Sequence, residues 1–242
     1  AAAAGTGHGP GDRGRPGASR HLPLIPSPLR RPRDPGDEMS NTTNAPKGTN
    51  SSKGGGGASR RPLEGLRVVD LTVINGELCP RLLGDLGAEV IKVEAPEGSP
   101  ARHYAPVRKG ISLSFAVNNA GKLGVALDLS NAADVAKLHE LLDHADVVVT
   151  SGPEVAPGLS VQMVAENHPH LVVAAVTPYG LTGPWSGRVI TDQVLSATGG
   201  MTFKAGTLNR EPLPAPSQFS NDVAASVATW AVMCALWQRE QT

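Results

Sequence analysis

The chain has 242 residues and a formal net charge of zero, because 22 lysine and arginine residues balance 22 aspartate and glutamate residues. Two cysteines are too few for a disulfide framework, and we find no apolar run long enough to span a bilayer. Composition therefore argues against a disulfide-rich secreted protein and against a membrane protein, and we expect a cytoplasmic protein with one folded body.

The balanced charge hides an uneven distribution along the chain. Residues 1–61 carry ten basic and four acidic residues and no Phe, Trp or Tyr, whereas residues 62–242 have a net charge of −6. A segment so rich in Gly, Pro, Ser and Arg cannot bury enough apolar surface to offset the entropy lost on ordering. We predict a disordered basic tail over 1–61 rather than a nucleic-acid-binding arm, since no aromatic residue is present to stack on bases. Because the first methionine is Met39, we interpret residues 1–38 as upstream sequence.

The stretch 65–94 has the pattern of a strand, a turn, a helix and a second strand. It begins with the short apolar run typical of a buried parallel strand. After a turn at Asn75 and Gly76, leucines recur at helical spacing as far as Gly87, which lies where a helix C-cap belongs. Such a βαβ unit binds its ligand at the carboxyl ends of its strands, so the first hypothesis is an enzyme that acts on a small molecule.

Strands and helices continue to alternate as far as the C-terminus. Residues 111–117 fit either a strand or a short helix. The other predicted strands are 125–129, 147–149 and 171–176, and the other predicted helices are 132–144, 159–167, 190–197 and 222–238. This alternation predicts a doubly wound α/β fold with a mostly parallel sheet.

Six motifs follow one another in register over about 63–240. In order they are LEGLRVVDLT, LLGDLGAEVIKVEAPEGSPAR, GKLGVALDL, ADVVV, HPHLVVAAVTPYGLTGPW and DQVLSATGG. The chain resembles the family III CoA-transferases, also called the CaiB/BaiF family, to which formyl-CoA transferase and α-methylacyl-CoA racemase belong. The resemblance implies that 62–242 is the N-terminal part of a Rossmann-like large domain, with the family's small domain absent. It also implies an interlocked homodimer and a fragment that is inactive alone.

The resemblance implies that an aspartate at the start of the last predicted helix is the catalytic nucleophile. That helix ends in the sequence ALWQR at 235–239, which fits the family's AL-x-x-R pattern, and Asp222 opens it. The implied carboxylate attacks an acyl-CoA thioester and forms a mixed acyl-aspartyl anhydride, and an acceptor acid then takes over the acyl group or the CoA. A helix N-terminus is expected to favour the ionised carboxylate. The spacing to the final arginine is one residue short, so Asn221 is the alternative occupant of the catalytic position, and a plain helix-capping role is the alternative for Asp222.

No metal site is expected, because His139 and His144 are five positions apart and do not fit the HExxH spacing. By the same resemblance, six residues are expected to contact coenzyme A, which is the substrate. They are Ile74, Asn75, Gly76, Lys122, Leu127 and Ser151. The chain departs from the family where Glu77 replaces a proline, where Leu123 replaces an arginine, and where 150–152 replaces an Asn-Phe element. A carboxylate near phosphates is unfavourable, so Glu77 is expected to weaken the site. A solvated loop lysine is the alternative for Lys122.

Other functions fit the residues less well. Thr191 stands where the racemases have their proton-transfer histidine, and Asp192 beside it is interpreted as opening a helix. The first turn lacks the GxGxxG pattern of a Rossmann oxidoreductase. The second hypothesis is a non-catalytic half of a larger or tandem CoA-transferase that keeps the fold for assembly. The expected partners are an acyl-CoA and a carboxylic acid acceptor, with no nucleic acid and no membrane.

Overall fold

The computed structural model describes residues 61–216 and 218–241, so the tail predicted over 1–61 lies almost entirely outside the described residues. The strands are β1 (Arg67–Leu71), β2 (Glu89–Glu94), β3 (Val107–Arg108), β4 (Ile111–Ser112), β5 (Leu123–Ala126), β6 (Val147–Thr150), β7 (Glu154–Ala156), β8 (Leu159–Ser160) and β9 (Val172–Ala175). The helices are α1 (Leu78–Asp85), α2 (Leu113–Asn118), α3 (Ala132–Asp143), α4 (Val161–Asn167), α5 (Asp192–Thr198), α6 (Met201–Lys204) and α7 (Phe219–Gln241), and a short 3-10 helix covers Pro100–His103.

Five strands form one parallel sheet in the order β5–β2–β1–β6–β9. The central strand β1 places Arg67 opposite Glu89 of β2, and Leu71 opposite Thr150 of β6. The chain moves outward from β1 to β2 and β5, and then crosses back to β6 and continues to β9. This is the doubly wound α/β sheet predicted from sequence, and its direction of winding changes between β1 and β6.

Both faces of the sheet are buried, and successive side chains of a strand alternate between them. Val69 and Val148 point to the face covered by α3 and α4, whereas Val68 and Val147 point to the face covered by α1 and α7. The helices contribute Leu138, Leu142 and Val164 to the first face, and Cys79, Leu83, Ala225, Val232 and Leu236 to the second. Burying one Val or Leu side chain stabilises the fold by about 1.5–3 kcal/mol. Burial on both faces explains why the strands appear as continuous apolar runs.

The last helix, α7, starts at the carboxyl edge of the sheet and ends at the opposite edge. Arg239 near its C-terminus donates to Asp146 Oδ1 at 2.9 Å and to the His170 carbonyl at 3.1 Å. Both acceptors lie just before the strands β6 and β9 begin. Ala225, near the other end of α7, belongs to the same core cluster as Cys79 in the first turn of α1. The first turns of α1 and α7 therefore lie at one edge.

Two features of α7 differ from the sequence-based expectation. It covers 219–241 instead of 222–238, and by length and composition alone it is apolar enough to cross a bilayer. A helix that lines a protein core meets the same criterion. Ala225, Val232 and Leu236 bury one side of α7 in the core next to the sheet.

Two small antiparallel hairpins, β3–β4 and β7–β8, were not predicted. The ambiguous segment 111–117 contains β4 followed by α2, and the predicted helix 159–167 contains β8 followed by α4. In both cases a serine at the junction caps the helix: Ser112 accepts from the Phe115 N–H, and Ser160 accepts from the Met163 N–H. Strands this short carry no periodicity, so only the helical part of each segment is visible in the sequence.

Candidate active site at the carboxyl edge of the sheet

The carboxyl ends of β1 and β6 border a cleft of about 430 Å³. Val73, Leu127 and Ser151 are among the residues that line it. The chain leaves β1 and β6 in opposite directions, and this divergence opens the space. The lining includes the carboxylates of Glu94 and Glu154 and, within the described part of the chain, neither lysine nor arginine. The cleft therefore suits an uncharged portion of a ligand better than its phosphates.

Glu94 at the rim of this cleft is already paired. Arg102 donates to its two carboxylate oxygens at 2.9 and 2.6 Å, and the Ser99 N–H donates to it at 2.9 Å. Burial alone would raise the pKa of Glu94, but these bonds hold it below its usual value. The Arg102 guanidinium also lies 4.3 Å from the centre of the Phe115 ring. Glu94 thus anchors the loop after β2.

The connection from β1 to α1 is a tight turn with two residues at positive φ. Ile74 has φ +61° and Gly76 has φ +83°. A β-branched residue rarely adopts this conformation, so surrounding contacts must hold Ile74 in it. A Cβ added at Gly76 would lie 2.9 Å from Val176 Cβ, so both the backbone and the close approach require glycine. Three of the predicted CoA contacts, 74–76, lie in this turn.

Ser151, also predicted to contact CoA, is bonded to the backbone of the same turn. Its Oγ accepts from the Val73 N–H at 2.7 Å and donates to the Asn75 carbonyl at 2.5 Å. A hydroxyl has one proton, so this bond leaves Ser151 only its acceptor capacity for a ligand. Its contact with CoA, like that of Leu127, stays a prediction.

Lys122 lies in the interior and is not the solvated loop lysine considered as its alternative. Its side chain is 3% exposed. Its ammonium group donates to Asp70 Oδ2 at 2.7 Å, to Asn119 Oδ1 at 2.8 Å and to the Glu77 carbonyl at 3.0 Å. These acceptors take all the protons of an ammonium group. Lys122 borders a separate depression of about 270 Å³, and its predicted contact with CoA would require one of these bonds to break.

A second buried lysine, Lys92 of β2, also lies next to Asp70. Its ammonium group donates to the Thr72 carbonyl at 2.8 Å and lies 3.1 Å from Glu77 Oε1 and 3.5 Å from Asp70 Oδ2. The contact with Glu77 is an ion pair without the alignment of a hydrogen bond. The Glu77 side chain is 3% exposed, so it faces the interior and not the cleft. This differs from the expectation that its charge weakens the CoA site.

Asp70, Glu77, Lys92 and Lys122 form what we call the buried charge cluster. Burial alone would raise the pKa of Asp70, but Lys122 and Lys92 hold it below its usual value. Burial tends to lower the pKa of Lys92, and the charges of Asp70 and Glu77 outweigh this and raise it. For Lys122, burial and the nearby charge of Lys92 prevail over Asp70 and lower the pKa. Mutual pairing thus keeps Asp70 ionised inside the core.

Asp222 lies in the first turn of α7, at the carboxyl edge. Asp192, which begins α5 as predicted, accepts from the Asn221 N–H at 2.9 Å and so caps this turn. Partial burial, and then the charge of Asp192, raise the pKa of Asp222, which is opposite to the effect expected from the helix N-terminus. The Asp222 residue as a whole is more exposed than Asn221, so only part of it contributes to this burial. The choice of Asp222 over Asn221 stays a prediction.

Sequence analysis missed Asp70 and Lys92. Each is a charged residue within an otherwise apolar run, in RVVDL and EVIKVE, at a position that a central parallel strand buries. A buried charge needs a partner, so the sequence contained the signal that both residues are paired. The identity of each partner depends on the sheet order, which brings Asp70 opposite Lys92.

The fold and the cleft at the change of winding define an α/β protein of the class that binds small molecules at the carboxyl edge of its sheet. The sequence profile of CoA-transferase family III matches residues 63–242, and the chain belongs to that family.

Known relatives agree with this assignment. A probable fatty acyl-CoA transferase of Mycobacterium tuberculosis is 37% identical over 188 residues, which are 75% of this chain and 48% of the relative. The succinyl-CoA:glutarate CoA-transferase of Homo sapiens is 35% identical over 189 residues, 75% of this chain and 43% of the relative. A crystal structure of a CaiB/BaiF family protein from Brucella suis superposes with a TM-score of 0.68 at 29% identity, covering 74% of this chain and 50% of that one. The chain thus spans about half the length of these relatives.

Proposed function

We propose that this chain forms part of a CoA-transferase that moves CoA between carboxylic acids through an acyl-aspartyl anhydride on Asp222. The observation that carries the proposal is the match to CoA-transferase family III over 63–242. Because the chain spans about half the length of its relatives, the activity is proposed for a complete protein, and this part alone is proposed to be inactive.

In the proposed reaction the Asp222 carboxylate attacks the carbonyl carbon of an acyl-CoA thioester. The C–S bond breaks, CoA leaves as a thiolate, and the acyl group remains as a mixed anhydride on Asp222. The thiolate then attacks the aspartyl carbonyl, which releases the donor acid and leaves CoA on Asp222 as a thioester. An acceptor carboxylate repeats these steps in reverse, leaves as the new acyl-CoA, and regenerates the Asp222 carboxylate.

The position of the elements supports this assignment of roles. The turn at 72–77, the cleft and the first turn of α7 all lie at the carboxyl edge, so nucleophile and CoA contacts share one side of the sheet. In the proposal, residues 74–76 with Leu127 and Ser151 contact CoA, and the apolar part of the cleft lining takes its thioester arm. No group of three potential metal ligands occurs within 61–216 and 218–241, and the proposed chemistry uses no metal.

The outer face of α7 supports the proposal of an interlocked homodimer. Its exposed apolar residues recur three or four positions apart and form what we call the α7 stripe. They are Val223, Val227, Trp230, Met233 and Trp237. Such a continuous apolar surface is typical of an interface. We also propose a cytoplasmic location, with which the free thiols of both cysteines agree.

A non-catalytic half is the second candidate, and one observation favours it. The protons of Lys122 and Ser151 are already donated to protein acceptors, which leaves fewer groups for CoA. In this alternative the chain keeps the fold for assembly with a catalytic half.

The test is to trap the covalent intermediate. The full-length gene product that contains this chain is incubated with a panel of acyl-CoA thioesters, treated with hydroxylamine or borohydride, and analysed by intact-mass spectrometry and peptide mapping. We expect an adduct on Asp222 that Asp222→Asn abolishes. The matched control is Asp85→Asn, which removes an exposed carboxylate paired with Arg81 on α1 and should keep the adduct. Asn221→Ala should keep it as well. A folded protein without an adduct across the panel would favour the non-catalytic half.

A further inference from the structure

The turn at 72–77 is held at its start, middle and end by side chains from three other segments. At the start, Lys92 of β2 donates to the Thr72 carbonyl at 2.8 Å. At the end, Lys122, just before β5, donates to the Glu77 carbonyl at 3.0 Å. In the middle, Ser151, just after β6, bonds to the Val73 N–H and the Asn75 carbonyl. Three segments distant in sequence thus bind the backbone of one short turn.

Asp70 couples these bonds to the sheet. Its Oδ2 accepts from Lys122 at 2.7 Å, and its Oδ1 accepts from the Thr72 N–H at 2.9 Å and from the Thr72 hydroxyl at 2.6 Å. Asp70 therefore holds the first residue of the turn directly and fixes the lysine that holds the last one. Removing one partner of a buried ion pair is strongly destabilising, so the members of the cluster depend on one another.

Glu77 supplies the charge that makes the cluster neutral. Without it, Lys92 and Lys122 would share the single carboxylate of Asp70. With Glu77 Oε1 at 3.1 Å from the Lys92 ammonium group, the cluster contains two ammonium groups and two carboxylates, all almost inaccessible to solvent. This gives a physical reason for an acid at a position that departs from the family pattern.

The turn needs such support because it contains an unfavourable conformation. Left-handed backbone at a β-branched residue such as Ile74 costs on the order of 1–3 kcal/mol and persists only where the surroundings determine it. The bonds at Thr72, Val73, Asn75 and Glu77 enclose Ile74 on both sides.

We propose that the buried charge cluster and Ser151 are a positioning device that sets the backbone of the turn at 72–77. Lys92 and Lys122 act through the turn and do not touch CoA, whereas Ser151 holds the turn in addition to its proposed contact with CoA. The proposal depends on the proposed function only for the identity of the ligand that the turn receives.

Residue-resolved amide hydrogen exchange of the 242-residue chain tests the proposal. The protected amides of Thr72, Val73 and Asn75 report the turn, and those of β6 report the core. We expect Lys122→Met to speed exchange in the turn by about tenfold or more beyond any acceleration in β6, which reports the global destabilisation of the core. Ser151→Ala is the milder variant, and it should speed exchange at Val73 and Asn75 alone.

Two matched controls accompany these variants. Lys137→Met removes an exposed lysine paired with Asp134, and Ser130→Ala removes an exposed hydroxyl bonded to Asp128. Neither should change exchange in the turn. An unchanged turn in both Lys122→Met and Ser151→Ala overturns the proposal. An equal acceleration of exchange in the turn and in β6 also overturns it, because the cluster would then act only on global stability.

A charge-balanced pair of variants tests the role of Glu77. Lys92→Met alone leaves a carboxylate without its partner, whereas Lys92→Met with Glu77→Gln keeps the cluster neutral. We expect turn exchange in the double variant to lie closer to the wild-type rate than in the single variant. If exchange in the turn rises in the double variant by as much as the rises in Lys92→Met alone and Glu77→Gln alone combined, the role assigned to Glu77 is contradicted.

Calorimetric titration of the same variants with CoA separates this proposal from the proposed function. If wild-type chain binds CoA, we expect Ser151→Ala to weaken binding about tenfold together with the faster turn exchange. If the wild-type chain does not bind CoA but the exchange results hold, the positioning role stands, and the CoA-transferase proposal, which concerns the complete protein, is decided by the adduct on Asp222. Lost CoA binding with an unchanged turn would make Lys122 or Ser151 a direct ligand and overturn the positioning role.

Discussion

Asp70 lies in the central strand of a sheet that is covered on both faces, and its side chain has no exposed surface. It accepts hydrogen bonds from Thr72 and Lys122 and lies 3.5 Å from the Lys92 ammonium group. An isolated charge in this position would be strongly unfavourable, and the surrounding donors make it tolerable. The same contacts place Asp70 at the centre of the network that holds the turn.

Replacing Asp70 with asparagine should destabilise the fold severely. The variant keeps the volume but removes the carboxylate that balances Lys122, so an uncompensated ammonium charge remains in the core. We expect the free energy of unfolding to fall by about 3–5 kcal/mol, measured by urea denaturation at neutral pH. Glu89→Gln is the control, because it breaks a half-exposed ion pair with Arg67 and should cost less than about 1 kcal/mol. Equal losses in the two variants would contradict the role given to Asp70.

The lowered pKa of Asp70 also predicts how stability depends on pH. Its folded-state pKa lies below the ordinary value of 3.8, so the unfolded chain binds the proton first. The stabilisation is therefore complete above that ordinary value and is lost as the pH falls through the lower folded-state pKa. Urea denaturation at a series of acidic pH values should show the gap between wild type and Asp70→Asn narrowing. A gap that stays constant into strong acid would contradict this origin.

The bonding partners of single residues were the hardest feature to predict from the sequence. The sequence predicted that Lys122 and Ser151 belong to the site, but the atoms they bond to depend on the sheet order and on the path of the turn. The inward orientation of Glu77 likewise depends on Lys92 of a neighbouring strand, a partner that no local pattern in the sequence identifies.

At the scale of elements, the turn between β1 and α1 combines a local and a distant constraint. The Asn-Gly pair that predicted it supplies the residue for a left-handed conformation. The second constraint, contact with Val176 after β9, comes from the packing of the outermost strand on this side.

Gly76→Ala and Gly180→Ala separate these two constraints. Both glycines have φ near +80°, but a Cβ at Gly180 meets nothing within 4 Å, whereas at Gly76 it meets Val176. We expect Gly180→Ala to cost about 1–2 kcal/mol for the conformation alone. Gly76→Ala should cost a further amount of about 1–3 kcal/mol for the overlap. The measurement is urea denaturation of both variants, and equal costs would show that the contact with Val176 is relieved without penalty.

The elements themselves were predicted well where they are long and regular. The βαβ pattern at 65–94 and the helix at 132–144 follow from spacing alone. The start of α7 does not follow from spacing, because its first turn is capped by Asp192 of α5, which lies 29 residues earlier than Asn221. A cap supplied by another element leaves no signal beside the helix it caps.

At the scale of the whole molecule, the site is assembled from four segments that the parallel sheet brings to one edge. The alternation of strands and helices predicted the doubly wound fold, and the fold predicted this edge as the place of the ligand. The strand order was beyond the reach of a single sequence, since every strand is similarly apolar. The order is what places Ser151 and Lys122 on opposite sides of the turn.

The α7 stripe leads to a prediction about assembly. If it forms part of a homodimer interface, replacing Trp230 and Trp237 together with glutamate should convert a dimer to a monomer, because charges at a buried interface are unfavourable. Both side chains are exposed, at 75% and 66%, so the unfolding midpoint should stay unchanged. Light scattering coupled to size-exclusion chromatography gives the mass. Val189→Glu, at a fully exposed position outside the stripe, is the control. A monomeric wild type, or a variant that still dimerises, would contradict the prediction.

The most direct test of the central claim follows an oxygen atom. The full-length protein is mixed with the acyl-CoA that gives the adduct and with the parent acid of that acyl group, labelled with heavy oxygen in its carboxylate. Collapse of the anhydride leaves the bridging oxygen on the enzyme, so the peptide that contains Asp222 should gain heavy oxygen, as read by mass spectrometry, and Asp222→Asn should stop the exchange of label. If acyl exchange proceeds while the Asp222 carboxylate keeps its original oxygens, Asp222 is not the nucleophile.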